Sequence, residues 1–179
     1  MSVLSTSKAG SDLVVSHEYP TARKVFALAR ISIGWVFLWA FLDKLFGLGF
    51  ATASEDAWIE GGSPTFGFLE FGTSGPLQEF FQSFAGAAWA DWLFMIGLLG
   101  IGLALMLGIG VRIAAVTGAT LLVLMWAAAL LPEHNPFMDD HLVYALVLIG
   151  LALSDSGETW GFGRSWKQTT LVQRFPFLT

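Results

Sequence analysis

Residues 25–46 read VFALARISIGWVFLWAFLDKLF, an apolar segment whose charged residues are Arg30, Asp43 and Lys44. A helix needs about 20 mainly apolar residues to cross the hydrocarbon core of a bilayer. This segment is long enough. Three further apolar segments follow, at 89–109, 111–131 and 140–153. The sequence therefore predicts an all-α fold, an integral membrane four-helix bundle, in which the last segment has the shortest apolar core.

The composition also favours a membrane protein. Hydrophobic residues make up 55% of the 179 residues and charged residues 13%, whereas soluble domains carry about 25% charged residues. The formal net charge is −5 and no basic run occurs, so we expect no nucleic acid among the partners. The chain contains no cysteine, which excludes disulfides and thiolate ligands for metals or iron–sulfur clusters.

Basic residues are concentrated on one side of the predicted spans. Seven of the nine precede the first span, lie in the turn between the second and third, or follow the fourth: Lys8, Arg23, Lys24, Arg112, Arg164, Lys167 and Arg174. The opposite connections carry nine carboxylates. Because basic connections stay in the cytoplasm, the pattern predicts a multi-pass protein of the cell membrane with both termini cytoplasmic.

Three segments follow from this topology. Residues 1–22 are predicted to be a flexible cytoplasmic N-terminus, 23–154 the membrane domain, and 155–179 an interfacial tail in which aromatic and basic residues alternate. The long outer loop at 47–88 contains Pro76, which can begin a helix. A leucine and three phenylalanines at helical spacing follow, so we expect a short amphipathic helix there.

Small residues recur at helical spacing in the second and third spans. Gly100, Ala104 and Gly108 are four residues apart, and Gly118 lies among alanines. Such patterns let membrane helices approach closely. We therefore expect these positions to pack against neighbouring helices.

Charged residues inside a membrane are costly and indicate functional sites. One face of the first predicted helix carries two cations with two rings between them: Arg30, Phe37, Phe41 and Lys44. This face would suit a flat, electron-rich quinone headgroup, so these four are the predicted cofactor-binding residues. Alternatively, the Lys44 side chain extends to the outer membrane interface. The Arg30 side chain then extends to the cytoplasmic interface or pairs with a carboxylate such as Asp155.

A second candidate site opens the fourth span. Tyr144 follows His141 by three residues and Asp140 by four, so the three side chains share one helix face. A histidine held by a carboxylate beside a tyrosine can relay protons at a quinone site, which makes these the predicted catalytic residues. Asp139 is expected to cap the helix. For His141, two roles remain open. It relays protons, or it is only a residue of the first turn of a capped helix.

Metal and haem are not expected as cofactors. The only histidine near His141 is His134, and Pro136 interrupts any helix that could hold both side chains on one face. The remaining histidine, His17, lies on the other side of the predicted membrane domain.

Several of these features resemble the DoxX/DoxD family of four-helix membrane proteins. They include the membrane-embedded arginine followed by a lysine near the end of the first span, the turn LGIGVRIAA at 107–115, and the YAL sequence that begins at Tyr144. The loop sequences GGSPT at 61–65 and NPF at 135–137 resemble the DoxD branch. The likeness runs from about residue 24 to 166.

The resemblance implies a role near quinone reduction, as in the thiosulfate:quinone oxidoreductase to which DoxD belongs, where thiosulfate is oxidised to tetrathionate. We therefore predict a quinone-interacting membrane subunit of an oxidoreductase, with Arg30, Lys44, His141 and Tyr144 around the headgroup. Expected partners are the lipid bilayer, a DoxA-like or other redox subunit, and a second copy of the chain. The alternative is a non-catalytic membrane scaffold that recruits a redox enzyme.

Thiosulfate itself is a dianion, and the nine outer carboxylates would repel it. Either Arg30 and Lys44 create a local basic site or another subunit binds the anion. A transporter is disfavoured because the sequence has no pair of Pro- or Gly-broken helices of the kind that such sites use.

Overall fold

The computed structural model describes residues 20–132, 135 and 137–179. Most of the predicted N-terminal segment and His134 therefore lie outside the described residues. The α-helices are α1 (Pro20–Phe46), α2 (Phe66–Phe71), α3 (Gln78–Gln82), α4 (Ala88–Leu107), α5 (Val111–Ala128), α6 (Asp140–Leu153), α7 (Gly163–Lys167) and α8 (Thr170–Arg174). Short 3-10 turns lie at Ser54–Asp56, Trp58–Glu60, Gly75–Leu77, Ser156–Glu158 and Pro176–Leu178.

Three of these helices, α1, α4 and α5, are long and apolar enough to cross a membrane. The fourth apolar helix, α6, has 14 residues. At 1.5 Å per residue it is about 21 Å long, shorter than the roughly 30 Å hydrocarbon core. No β-strand occurs in the part of the chain that the structure describes, so the predicted all-α class is confirmed there.

The helix boundaries follow the turn chemistry of the sequence. The α4 helix ends where Gly108 adopts a left-handed conformation (φ 72°), and α5 begins directly after Gly110 (φ 57°). The α5 helix ends at Ala128, three residues before the predicted end. The cause is Pro132, which disfavours helical geometry at Leu131 before it. Pro76 lies in the 3-10 turn that leads directly into α3, so a short helix follows it as predicted, although α3 ends at Gln82, before Phe84.

The four long helices share one hydrophobic core. The α1 helix packs mainly against α4, and α5 mainly against α6. The largest core side chains come from all four helices: Ile33, Phe37, Met95, Leu98, Ile101, Leu105, Leu122, Leu148 and Leu151. Since these residues are spread along each helix, the core runs through the length of the assembly and fixes the relative positions of the helix ends.

Several glycines permit close contacts between the long helices. A Cβ on Gly102 would lie 2.8 Å from the Leu38 nitrogen, and one on Gly118 would lie 2.9 Å from Leu148 Cδ1. The expectation of close packing is thus confirmed for Gly118. It is wrong for Gly100, since a Cβ there would meet no atom within 4 Å. The reason is that α4 turns its Gly102 face toward α1 and leaves the Gly100 face open.

Candidate functional site

The antiparallel course of the long helices creates two chemically different ends. The basic end contains the start of α1, the α4–α5 turn and the tail after α6, marked by Arg23, Arg112 and Lys167. The loop end contains the end of α1, the outer loop, and the starts of α4 and α6, marked by Asp91 and His141. Every predicted site residue on α1 or α6 therefore belongs to one end or to the core between them.

Arg30 is completely buried at the basic end. Its Nη1 donates to the carbonyls of Leu105 (2.6 Å) and Met106 (3.5 Å), and its Nη2 donates to those of Thr159 (3.2 Å) and Trp160 (2.9 Å). The last carbonyls of an α-helix lack partners within the helix and form its negative end. Arg30 therefore caps α4 and ties α1 to the tail.

The surroundings of Arg30 are built to admit this contact. A side chain on Gly108 would collide with the guanidinium, and the Leu107 carbonyl accepts from the Phe162 nitrogen at 2.8 Å. The sequence alternative that paired Arg30 with Asp155 is wrong. Asp155 accepts from Lys167 at 2.8 Å instead, because the end of α4 already offers Arg30 carbonyl acceptors.

The other residues of the predicted cofactor face lie further along α1. Phe37 is 5% exposed and belongs to the core, and Phe41 packs against that core. Lys44 is half-buried near the loop end, about 21 Å along the helix from Arg30 at 1.5 Å per residue. The two rings thus fill space between helices, and the role of this face in binding a quinone stays a prediction.

The start of α6 carries a compact polar cluster. Asp139 Oδ1 accepts from the Leu142 nitrogen at 3.2 Å, which confirms the predicted helix cap. The other oxygen, Oδ2, lies 2.7 Å from His141 Nδ1, and Asp140 Oδ1 lies 3.8 Å from the same nitrogen. Asp139 therefore caps the helix and also holds the histidine at the shorter distance, a role that the sequence analysis gave to Asp140.

This arrangement defines what His141 can do chemically. A carboxylate at Nδ1 favours the tautomer that carries its proton there, which leaves the lone pair of Nε2 to exchange a proton with a ligand. Tyr144 lies one turn further along α6 and is 37% exposed. Ligand atoms of Asp139, Asp140 and His141 lie within 4.8 Å of one another, close enough to hold a cation. The expected absence of a metal stays a prediction.

The structure does not bring Arg30 to His141. The guanidinium contacts the end of α4, whereas His141 belongs to the first turn of α6 at the opposite end. The length of α6, about 21 Å, separates the two levels. A single headgroup therefore cannot contact both side chains.

Two buried aspartates at the loop end were not among the predicted site residues. Asp91 is 6% exposed, and its Oδ1 accepts from Ser63 Oγ (2.9 Å), Thr65 N (3.0 Å) and Thr65 Oγ1 (2.7 Å). Asp43 is 2% exposed and accepts from the backbone nitrogens of Phe50 and Ala51 at 3.3 and 3.0 Å. The signal that could have found them is a lone carboxylate at the end of an apolar helix, near a Ser- or Gly-rich loop.

At the basic end, the tail is held by ion pairs. Lys167 Nζ lies 2.8 Å from Asp155 and 2.7 Å from Glu158. Burial alone lowers the pKa of Lys167, but hydrogen bonds and charge attraction from the two carboxylates outweigh it, and the pKa is raised. Arg23 and Arg164 also approach Glu158, at 3.7 and 3.8 Å. These contacts fix the tail against the start of α1.

Comparison with known proteins gives one match. A family model, DoxX, matches residues 25–131, which include α1, the outer loop, α4 and α5. No curated protein and no solved structure matches the chain. The match and the three apolar helices together identify a membrane protein. Because the matched residues make up more than half of the sequence, the chain belongs to the DoxX family, a membrane family associated with quinone-linked oxidoreductases.

Proposed function

We propose that the protein is a quinone-interacting membrane subunit of an oxidoreductase, similar to the DoxD subunit of thiosulfate:quinone oxidoreductase. The observation that carries the proposal is the 2.7 Å contact between His141 Nδ1 and Asp139. Quinone reduction takes up two protons with two electrons, and a histidine oriented by a carboxylate is suited to deliver a proton at near-neutral pH. Family membership supports the choice of quinone as the ligand.

The proposed headgroup site lies at the loop end. His141 takes up a proton from the solvent at Nε2 and delivers it from there as one of the two protons, the electrons come from the partner subunit, Asp139 orients the ring, and Asp140 and Tyr144 complete the polar wall. Lys44 lies at the same end of the helices and supplies a cation near a reduced, negatively charged oxygen. Arg30 has no part in this site, since its guanidinium is engaged by backbone carbonyls at the basic end.

The same buried position removes Arg30 from any role in binding thiosulfate. It is completely enclosed, and the outer loop carries exposed carboxylates such as Glu55, Asp56 and Glu60. A dianion would be repelled from this surface. We therefore assign thiosulfate, or another electron donor, to a partner subunit of the DoxA-like or another redox type.

The proposal includes a membrane topology. The basic end faces the cytoplasm, with both termini there, because basic connections are retained on that side. The α6 helix crosses with the other three as the fourth helix of the bundle. Its length of about 21 Å is accommodated by local thinning of the bilayer and by polar residues at its ends.

The first experiment measures quinone binding by the purified protein in detergent. Bound quinone is extracted and identified, and a short-chain quinone is titrated while tryptophan fluorescence is followed. We expect one quinone per site, with binding weakened in His141→Gln. An exposed loop carboxylate substituted in the same way, Asp56→Asn, is the control and should bind as the wild type does. Absence of quinone binding by the wild type would overturn the proposal.

A second variant separates proton delivery from helix capping. Asp139→Ser keeps a side-chain oxygen that can cap α6 but removes the carboxylate that orients His141. With thiosulfate and the partner subunit supplied, we expect quinone reduction to fall by about tenfold or more while the protein stays folded. Full activity in this variant would exclude the histidine–carboxylate relay.

The alternative is a non-catalytic scaffold, favoured by the packing of Phe37 and Phe41 in the core rather than around a ligand. Large apolar side chains exposed on the outer loop, such as Phe50 and Phe71, would then contact the recruited enzyme. Co-purification of a soluble enzyme at equal stoichiometry, without bound quinone, would decide for this function.

A further inference from the structure

An open groove runs between α4 and α5, from the middle of both helices to the basic end. It has a volume of about 410 Å³ and is almost entirely apolar. The groove exists because α4 packs mainly on α1, and α5 mainly on α6. Gly97 and Gly100 on α4 have no side chains that could fill the space between α4 and α5. Residues that form its walls include Ile96, Gly97, Gly100, Ala104, Ile113 and Trp166.

The groove faces the hydrocarbon layer. The large apolar side chains beside it are strongly exposed, with Ile96 at 61% and Val116 at 67%. Both belong to helices that are long and apolar enough to cross a membrane. A hydrocarbon chain is therefore the default neighbour of this surface, and the groove differs from the surrounding surface in being concave.

The basic end of the groove is continuous with a cluster of cations. Gly110 and Trp166 line both the groove and the small pocket that Arg112 and Lys167 border. Around this pocket the four cations Arg23, Arg112, Arg164 and Lys167 share two carboxylates, Asp155 and Glu158. The cluster therefore keeps a surplus of positive charge at the membrane edge.

Arg112 is the cation best placed to bind an external anion. Its side chain is 56% exposed, and its contact with Asp155 is long, at 4.0 Å. Lys167, in contrast, has two contacts below 3 Å. The guanidinium of Arg112 thus retains donors for a phosphate, which arginine binds through two parallel hydrogen bonds.

We propose that this groove is a binding site for an anionic phospholipid, with one acyl chain between α4 and α5 and the phosphate at Arg112. Basic pockets between membrane helices bind anionic headgroups in this way. A second copy of the chain is a poorer occupant. Copies in one membrane share an orientation, so a symmetric contact along the groove would bring the two basic clusters together.

The site is tested with phosphatidylglycerol that carries a photoactivatable diazirine on one acyl chain. The wild-type protein is labelled in lipid nanodiscs, and the modified peptides are identified by mass spectrometry. We expect adducts concentrated at 96–104 and 109–117, competed by unlabelled phosphatidylglycerol. Phosphatidylcholine with the same acyl chains should label these peptides about fivefold less, the effect of one cationic contact at the membrane surface.

Matched variants separate the two parts of the site. Arg112→Gln should abolish the preference for phosphatidylglycerol, whereas Lys24→Gln, which removes the same charge from the start of α1, should preserve it. Gly100→Leu fills the groove and should remove labelling by both lipids. Gly150→Leu is its control, because a Cβ at Gly150 also meets no atom within 4 Å but lies on α6, outside the groove.

Four results would overturn the proposal. Adducts spread evenly over the membrane helices, or equal labelling by the two lipids, would show only general lipid contact. A dimeric protein whose groove peptides stay unlabelled would assign the groove to a second copy. Competition by a long-chain quinone but not by phosphatidylglycerol would assign it to a quinone tail. The wild-type map alone decides among these, so the result does not depend on the folding of any variant.

Discussion

The two ends of the molecule solve the same physical problem with opposite charges. At the basic end, a buried cation, Arg30, has both terminal nitrogens bonded to backbone carbonyls of α4 and of the tail, while its Nε has no hydrogen-bond partner among the described residues. At the loop end, the buried carboxylates of Asp43 and Asp91 are satisfied by N–H and hydroxyl donors of the outer loop. In each case a side chain on a membrane helix fixes a connection that would otherwise be loosely held.

The ends differ in what they leave available for chemistry. The Arg30 guanidinium is completely enclosed, and arginine does not lose its proton in proteins. At the loop end, His141 is held by Asp139 through its Nδ1, which leaves the other ring nitrogen to exchange a proton with a ligand. The burial of a charged side chain, and the free-energy cost of burying it, therefore do not by themselves identify a functional residue. Where all the hydrogen-bond partners of a charged side chain are backbone groups of the same chain, its main role is to stabilise the fold.

The substitution with the largest expected effect is Arg30→Met, which removes the buried cation of the basic end. If Arg30 is structural, the substitution leaves the end of α4 uncapped and two tail carbonyls without a donor. Each buried unsatisfied group costs about 1–3 kcal/mol, so we expect a loss of at least about 3 kcal/mol of unfolding free energy, measured by denaturation in detergent. Arg30→Lys should recover only part of it, since an ammonium cannot reach both sets of carbonyls in a fork.

The contrary result would be a stable Arg30→Met protein that fails only in quinone binding. This outcome would restore the predicted cofactor face of α1. The control is Arg164→Gln, because Arg164 is an exposed cation of the same end with a single long contact to Glu158. Its unfolding free energy should stay within about 0.5 kcal/mol of the wild-type value.

The loop end is tested by Asp91→Ala. Its carboxylate receives three hydrogen bonds from Ser63 and Thr65, and hydrogen bonds to charged groups contribute about 1.5–3 kcal/mol each. All three donors share the one oxygen Oδ1, so their contributions do not add, and we expect a total loss of about 2–3 kcal/mol and faster proteolysis within the loop at 47–87, measured by timed digestion. Asp91→Asn keeps one acceptor oxygen and should lose less. Unchanged digestion of Asp91→Ala would show that the loop is held by its aromatic contacts instead.

Much of the fold was predictable because it follows from local patterns. Apolar runs fixed the number and order of the long helices, and Gly108 and Gly110 marked the tight turn between α4 and α5. The helix cap at Asp139 was also predictable, since it depends on residues within one turn. The end of α5 was predicted three residues too late, although Pro132, directly after the predicted end, is itself a local signal against helical geometry there.

The partners of buried polar groups were not predictable. The contacts of Arg30 lie 75 to 130 residues away in the chain, and a helical wheel gives a direction for the side chain but no identity for what it meets. A backbone carbonyl carries no sequence signature, so Asp155 was the natural guess for a partner. The donors to Asp91 come from a loop whose course depends on the whole assembly.

A smaller effect on stability is expected for substitutions of Asp139, which caps α6 and holds His141. Asp139→Ala removes the cap of α6 and should reduce stability by about 1 kcal/mol, the usual value of an aspartate cap. Asp139→Ser should remain close to the wild type in stability, because a serine oxygen can accept from Leu142 as the carboxylate does. Thermal unfolding of the two variants measures this. Equal destabilisation would mean that the hold on His141, and not the cap, accounts for the stability at this end.

The smallest effect is the pH dependence of the basic end. The pKa of Lys167 is raised above its ordinary value of 10.5 by Asp155 and Glu158, so its stabilising contribution is complete below pH 10.5 and is lost as pH rises through the raised value. The side chain is 32% exposed, so screening keeps the contribution below about 1 kcal/mol. Unfolding measured between pH 8 and 12 should therefore show a slightly steeper alkaline loss in the wild type than in Lys167→Gln. Identical pH profiles would mean that the tail is held by Arg30 and the backbone alone, which would make the basic end independent of charge pairs and strengthen its contrast with the carboxylate-anchored loop end.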